Sequence, residues 1–554
     1  MSDLTLVSAM ARLRRGEGRG FTFMGRDRQE RYFGYDELEA EAHRRAAFLQ
    51  ARGVKKGDRI GLVIPEPHEF VLTFLAATVA GAVPVPIYPR ASFKNVDGYV
   101  DVLAHILGTA GAKLVFCMEG NREVVERVRE HGIEAPILDA ATAFEGSAPP
   151  FATPTIGSDD LCFLQFTSGS TSKPKGVMVT HGNLVANAGA FLGPHGLNRS
   201  DEDKGVSWLP LFHDMGLIGF VLGTLIYDIP VVLLPTELFA RSPALWLETI
   251  SKHRGTITYA PNFAYQLVTK RMKERHMAGL DLSSLRVAGS GAEPIHAATL
   301  KAFADKFAPA GFDPKAFLPS YGMAEATLAI TFHPRGQEMV VDRVDAEAMK
   351  DGVAKPADDD TQTVLEIVGC GRGFPEHEVR VVDEAGEPLP ERRVGQVVTR
   401  GPSVTKGYFE NEAATAEGYR DGWLQTGDLG YFAGEQLFIC GRIKDLIIIR
   451  GANHYPQDIE WAVQDVEGVR RGNVFAFSVM KDGAEELVLA AEGNRADAAR
   501  IREDITRLVQ QEFGLTPAHV AVCPVGTLPK TSSGKAQRRK TRQLFEAGEL
   551  NEHE

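Results

Sequence analysis

The chain has 554 residues, 44% hydrophobic and 24% charged, so it has globular composition and is too long for one compact core. Its net charge of −12 argues against DNA or an anionic membrane as a default partner. The cysteines, Cys117, Cys162, Cys370, Cys440 and Cys523, are scattered without a C-x-x-C pair, which speaks against a disulfide framework or a zinc site and predicts small buried thiols.

Met1-Ser-Asp-Leu-Thr lacks a basic stretch followed by an apolar one, so no signal peptide is expected and a cytoplasmic location is. Asp36 to Gln50 reads as a helix with Leu38, Ala42 and Leu49 on one face, closed by Gly53. Ile60 to Ile64 is a continuous apolar run and predicts a buried strand. Glu69 to Ala80 predicts a helix stopped by Gly81, and Val83 to Tyr88 the next strand. This alternation implies a parallel sheet covered by helices.

Leu161 to Phe166 and Val177 to Thr180 predict two strands around a polar loop. The apolar stretch from Gly216 to Pro235 is broken by Asp228 and Pro230. A membrane span needs about 20 uninterrupted apolar residues, so a buried helix over Leu217 to Leu225 and a strand over Val231 to Leu234 are expected instead.

The last part reads as a small α+β unit. Asp445 to Arg450 predicts a short strand, and Gln457 to Val466 a helix led by Pro456. Ile501, Ile505, Leu508, Val509 and Phe513 share one helical face. Strands are expected near Val474 to Phe477, Leu487 to Ala491 and Val520 to Cys523.

The strongest chemical signal is Thr167-Ser-Gly-Ser-Thr-Ser-Lys-Pro-Lys-Gly176. Hydroxyls, glycine-freed backbone N–H groups and two lysines between buried strands are what a polyphosphate needs. The spacing differs from the GxxxxGK[ST] loop.

That loop resembles the phosphate loop of the adenylate-forming superfamily of acyl-CoA synthetases, adenylation domains and luciferases. The resemblance recurs in family order over nearly the whole chain. Trp208-Leu-Pro-Leu-Phe-His-Asp-Met-Gly216 is similar to the family's histidine-bearing segment, and Gly289-Ser-Gly-Ala-Glu-Pro294 to its adenine-contacting turn. Tyr321-Gly-Met-Ala-Glu-Ala-Thr327 resembles its Tyr-Gly-x-x-Glu signature, and Thr426-Gly-Asp428 its ribose-binding triplet. Gly441-Arg-Ile-Lys-Asp445 resembles its hinge, and Pro529-Lys-Thr-Ser-Ser-Gly-Lys535 its lysine loop.

The resemblance implies an α/β fold: a large N-terminal domain of layered sheets with a β-barrel-like subdomain (residues 1–441), a hinge (442–446) and a small mobile α+β domain (447–554). It implies ATP and Mg²⁺, with Lys535, His213 and Glu325 catalytic and Glu325 on the metal. Nucleotide contacts would come from Thr167, Ser168, Gly169, Ser170, Thr171, Lys175, Gly291, Ala292, Glu293, Tyr321, Gly322, Met323, Asp428 and Arg442. Physical reasons stand beside these roles. Mg²⁺ commonly binds one carboxylate plus substrate phosphates, and a lysine ammonium can bridge a carboxylate and a phosphate. Arg538, Arg539, Lys540 and Arg542 read as a solvated face or docking patch.

Three features resemble fatty acyl-AMP ligases. They are Val83-Pro-Val-Pro-Ile-Tyr-Pro-Arg90, the Trp208 segment together with Pro261-Asn-Phe-Ala-Tyr265, and a polar stretch from about Glu338 to Gln362. That stretch carries Asp342-Arg-Val-Asp345 and Lys355-Pro-Ala-Asp-Asp-Asp360 and matches the insertion marking those ligases. The implied substrate is a fatty acid, and the implied acceptor the phosphopantetheine thiol of a separate acyl carrier protein or synthase carrier domain. No nucleic acid and no membrane span are expected. A long-chain acyl-CoA synthetase, a non-catalytic nucleotide-binding regulator and an amino-acid-adenylating domain stay open as alternatives.

Overall fold

The computed structural model describes residues 4–89, 96–167, 173–481, 484–531 and 534–553. The predicted helices and strands of the first half are present with ends shifted by a residue or two: helices Tyr35–Ala51 and Pro67–Val79, strands Arg59–Val63 and Val83–Pro86. The apolar runs are strands because both their faces are covered.

The larger sheet has nine strands. Its middle six are parallel, in the order Phe317–Gly322, Val287–Ser290, Ile257–Ala260, Gly205–Ser207, Val231–Leu233 and Gly20–Met24. Antiparallel strands flank them: Ala329–Phe332 and Arg372–Gly373 at one edge, Glu30–Gly34 at the other. A second sheet is wholly parallel, in the order Val83–Pro86, Arg59–Val63, Leu114–Cys117, Ile137–Asp139. Leu161–Thr167 and Lys175–Thr180 form a separate antiparallel hairpin.

The parallel strands have a functional consequence. Their carboxyl ends run directly into Trp208 to Asp214, Pro261 to Phe263, Gly291 to Pro294 and Met323 to Thr327. In open α/β sheets ligands bind in that position.

Some expectations are corrected in detail. The helix expected over Leu217 to Leu225 starts at Asp214 and carries a π-turn over Ile218–Leu222 before continuing over Gly223–Ile226. The subdomain expected to resemble a barrel is an open antiparallel sheet of Glu378–Val382, Gly395–Arg400, Trp423–Ala433, Tyr419–Arg420 and Gln436–Arg442; no pairing among the described residues closes it. The polar stretch near Glu338 to Gln362 contributes a strand, Val341–Asp345, paired with Val364–Val368, and a helix, Ala346–Lys350. Val344, Met349 and Ala354 from it are buried against Tyr431, Phe438 and Tyr455. It is an anchored flap with its own apolar face.

The terminal part has its own cores. Strands Val469–Lys481, Ala484–Gly493 and His519–Cys523 form a mixed sheet, covered by helices Pro456–Val463 and Ala498–Phe513. Ile501, Ile505 and Val509 are buried on the expected helical face. The strand expected over Asp445 to Arg450 is Ile447–Ile449, because Ile443–Asp445 is a 3₁₀ turn. All five cysteines are free and buried. No helix among the described residues is long and apolar enough to cross a membrane.

The N-terminal helix Leu6–Met10 is docked through His181, whose Nδ1 accepts the Leu6 N–H at 3.2 Å. Burial pushes the His181 imidazole down to about 4. The unfolded chain then binds a proton that the native state refuses, so stability falls as pH drops from about 6.5 towards 4. At pH 5 the loss is roughly 2 kcal/mol. His181→Asn should lose less stability than the parent between pH 7 and pH 5, measured by chemical denaturation at both.

Candidate active site

A single cleft of about 1970 Å³ is lined by the ends of the parallel strands, the phosphate hairpin and the terminal unit. Asp428 and Tyr321 form its most ordered polar corner. Tyr321 Oη donates to Asp428 Oδ2 at 2.6 Å, and Arg442 Nε donates to Oδ1 at 3.1 Å. Thr426 Oγ1 accepts from Asp428 N at 3.1 Å and donates to Val397 O at 2.6 Å, fixing the triplet. Burial raises the Tyr321 phenol far above its ordinary range, with the Asp428 charge adding to it, so it stays a donor.

Glu325 lies on a 3₁₀ turn, Ala324–Ala326, buried at 8% exposure. Tyr408 Oη donates to its Oε1 at 2.8 Å. Burial raises the Glu325 carboxyl, and the Tyr408 hydroxyl opposes that rise. Among the described residues no cation lies within ion-pairing distance of it. Thr327, two residues on, is held at φ 68°, a strained conformation for a β-branched residue, with its hydroxyl on Ser403 O at 2.6 Å. A buried, unpaired carboxylate facing a polar cleft fits a cation. No cluster of three or more His, Cys, Asp or Glu forms among the described residues, so phosphate oxygens would have to complete a metal shell.

Thr167 and Lys175 face each other across the hairpin. Ser168, Gly169, Ser170 and Thr171 lie outside the described residues. Gly291 and Ala292 form the predicted turn, with Ala292 at φ 70°. Gly291 lies against Ser320, where an added Cβ would meet the serine oxygens at 2.9 Å. Glu293 has a local task the sequence did not show: its Oε1 accepts from Phe263 N at 2.7 Å, capping helix Asn262–Arg271. Gly322 and Met323 line the cleft between Tyr321 and Glu325.

His213 precedes the helix that starts at Asp214 and lines the cleft. Burial and the Lys535 charge push its imidazole down to about 3, so it is neutral at neutral pH. Burial raises the Asp214 carboxyl, with Lys535 opposing. The Lys535 charge therefore reaches both His213 and Asp214. Burial lowers its ammonium, while Asp214, Glu293 and Asp428 pull the other way. Thr531 and Lys535 are bonded twice: Thr531 N donates to Lys535 O at 2.8 Å and Lys535 N to Thr531 Oγ1 at 3.0 Å. Gly534 rests on the Phe263 ring.

An apolar branch of the cleft penetrates the core between Phe191, Leu197, Phe220, Ile229, Tyr259 and Phe332. Gly289 makes room there, since a Cβ would fall 2.1 Å from the Tyr259 ring. Each methylene buried in such a branch is worth roughly 0.8 kcal/mol.

Residues 16–409 match the AMP-binding enzyme family, and residues 444–554 the AMP domain of Disco-interacting protein 2-like proteins. A Caulobacter vibrioides chain provisionally assigned as an acyl-CoA synthetase is 38% identical over 93% of this chain and 90% of its own. Long-chain-fatty-acid–AMP ligase FadD26 of Mycobacterium marinum is 33% identical over 96% of this chain and 95% of its own. A solved structure from work on fatty acyl-adenylate ligases of E. coli and L. pneumophila superposes with a TM-score of 0.92, 35% identity and 98% coverage of both chains. The chain belongs to the AMP-binding enzyme family, in its fatty acyl-AMP ligase branch.

In this ligase the basic run after the lysine loop is not a uniform solvated face. Arg538 is part-buried and paired twice, Nε to Glu460 Oε1 at 2.6 Å and Nη1 to Asp445 Oδ2 at 3.2 Å. It ties the helix Arg538–Glu546 to the 3₁₀ turn Ile443–Asp445, whereas Arg542 pairs along its own helix with Glu546 and Lys540 is exposed. The rings of His296 and Trp461, 4.8 Å apart, join the larger part to the terminal unit. Sequence reasoning also missed Tyr408, whose only signal was an aromatic pair after Lys406-Gly407. Arg538→Ala leaves two part-buried carboxylates without their cation and should cost the terminal unit about 2 kcal/mol, read as a lowered denaturant midpoint.

Proposed function

We propose that this ligase activates a fatty acid to its acyl-adenylate and passes the acyl group to the phosphopantetheine thiol of a separate acyl carrier protein, AMP leaving as the thioester forms. The observation that carries the reading is the meeting of Lys535, from the terminal unit, with His213, Asp428 and Glu325 in one cleft. The division into residues 1–441, a hinge at 442–446 and a mobile unit at 447–554 belongs to the same proposal, as does a cytoplasmic setting.

A carboxylate oxygen of the acid attacks the α-phosphorus of ATP. The bond to the bridging oxygen breaks, pyrophosphate leaves with that electron pair, and the acyl–O–P linkage remains. Positioning and charge neutralisation dominate such a transfer. Asp428 would take the ribose hydroxyls, with Tyr321 and Arg442 fixing its oxygens. Thr167 and Lys175 would hold the leaving phosphates. Lys535 would neutralise charge at the α-phosphate. Neutral His213 would stand beside the acid's carboxylate without adding charge. Mg²⁺ bound at Glu325 would screen the polyphosphate charge.

The apolar branch supports a fatty acid over an amino acid. The flap packs on the terminal unit, with Val344, Met349 and Ala354 in one buried cluster with Tyr455. Among relatives, JamA of Moorena producens is named a medium-chain-fatty-acid–[acyl-carrier-protein] ligase.

Lys535→Ala should lower acid-dependent pyrophosphate release about 10²- to 10³-fold while sparing thiol attack on supplied acyl-adenylate. Near-parental release would remove Lys535 from the role. With fatty acid, ATP and either CoA or holo carrier protein, mass spectrometry should find the acyl group on the carrier. Equal acyl-CoA would favour the synthetase alternative.

A further inference from the structure

Tyr408 stands between the two groups that would meet opposite sides of the polyphosphate. Its hydroxyl donates to Glu325 Oε1 at 2.8 Å, and Lys175 Nζ lies 5.0 Å from the centre of its ring. Its backbone is fastened on both sides. Towards the phosphate hairpin, Met178 N donates to Gly407 O at 3.1 Å and Phe409 N to Gly176 O at 2.8 Å. Towards the Glu325 turn, Thr405 N donates to Glu325 O at 2.9 Å. Tyr408 N donates to Thr415 Oγ1 at 2.9 Å. Gly407 permits this course: its φ is +126°, and a Cβ would fall 2.4 Å from Thr415 Cγ2.

The chemistry of the phenol matters. An arginine or lysine in this place would neutralise Glu325. A phenol orients the carboxylate by one hydrogen bond and leaves its charge available to a cation. The ring face meanwhile attracts the Lys175 ammonium without an anion that would compete with phosphate.

We propose that Tyr408 is a positioning residue of the adenylation reaction: one side chain sets the anion that would hold the metal and the cation that would hold the leaving phosphates. This rests on the reading that Glu325 binds Mg²⁺. Partners of metal-ligating side chains typically govern metal affinity by 10- to 100-fold.

The test is binding of a non-hydrolysable ATP analogue, adenylyl imidodiphosphate, to the full chain by calorimetry, with and without Mg²⁺. Tyr408→Phe keeps the ring and removes the hydroxyl. It should lose roughly 10-fold or more of the Mg²⁺-dependent gain in affinity while the Mg²⁺-free affinity stays at the parental value. Tyr408→Leu should lower the Mg²⁺-free affinity as well, because the ring under Lys175 is gone. Glu325→Gln is the reference. If it loses the Mg²⁺-dependent gain while Tyr408→Phe keeps it, the role of Tyr408 is overturned and the metal reading stands. If Glu325→Gln keeps the gain, the metal reading falls and this proposal with it. An equal loss by Tyr408→Phe with and without Mg²⁺ would mark a general structural role and also overturn it.

Discussion

Lys535 brings a positive charge into a cleft walled by Asp214, Glu293 and Asp428, and the rest of the site is arranged around that charge. Burial lowers the Lys535 ammonium, and the surrounding carboxylates oppose that fall. The interaction is also felt in reverse. His213 is held neutral, and the burial-driven rise of Asp214 is opposed. A cation with so little solvent around it acts on a developing phosphate charge far more strongly than it would in water.

The charge arrives on the smaller part of the chain, so the contacts between parts are as much a feature of the site as the cleft. Arg538 joins the helix Arg538–Glu546 to Asp445 and to Glu460. His296 and Trp461 pack ring to ring, and Gly534 lies on Phe263. Glu293 serves both sides at once, capping the helix that presents Phe263 while adding negative charge near Lys535. The larger sheet explains why these groups converge. Parallel strands end on one side, so segments distant in sequence reach one crevice.

Much of this was legible because phosphate and nucleotide chemistry concentrates in short loops of unusual composition. Glycine, serine and lysine between apolar strands, or Thr426-Gly-Asp428 on a strand, are local patterns. The alternation of strands and helices was legible for the same reason. Long-range pairing was not. Nothing local in Arg538 distinguishes a part-buried double ion pair from a solvated charge, since its partners lie at Glu460 and Asp445. Glu293 sits in a turn that reads as nucleotide-facing, yet its oxygen is taken by a helix start. Tyr408 is more than eighty positions from Glu325 and looks like a turn aromatic. The flap read as polar because the apolar residues it buries, Val344, Met349 and Ala354, are spaced among charges. The sheet of Gly395–Arg400 and its neighbours has barrel-like alternation, but alternation alone does not state whether the edges meet.

The most direct measurement is a crystal structure of the full chain with a non-hydrolysable acyl-adenylate analogue, an acyl sulfamoyl adenosine with a fatty acyl chain. The account predicts the ribose hydroxyls on Asp428, the Lys535 ammonium within hydrogen-bonding reach of the sulfamoyl oxygens, and the acyl chain between Phe220 and Tyr259. An analogue bound with its ribose away from Asp428, or with Lys535 held outside the cleft, would contradict it.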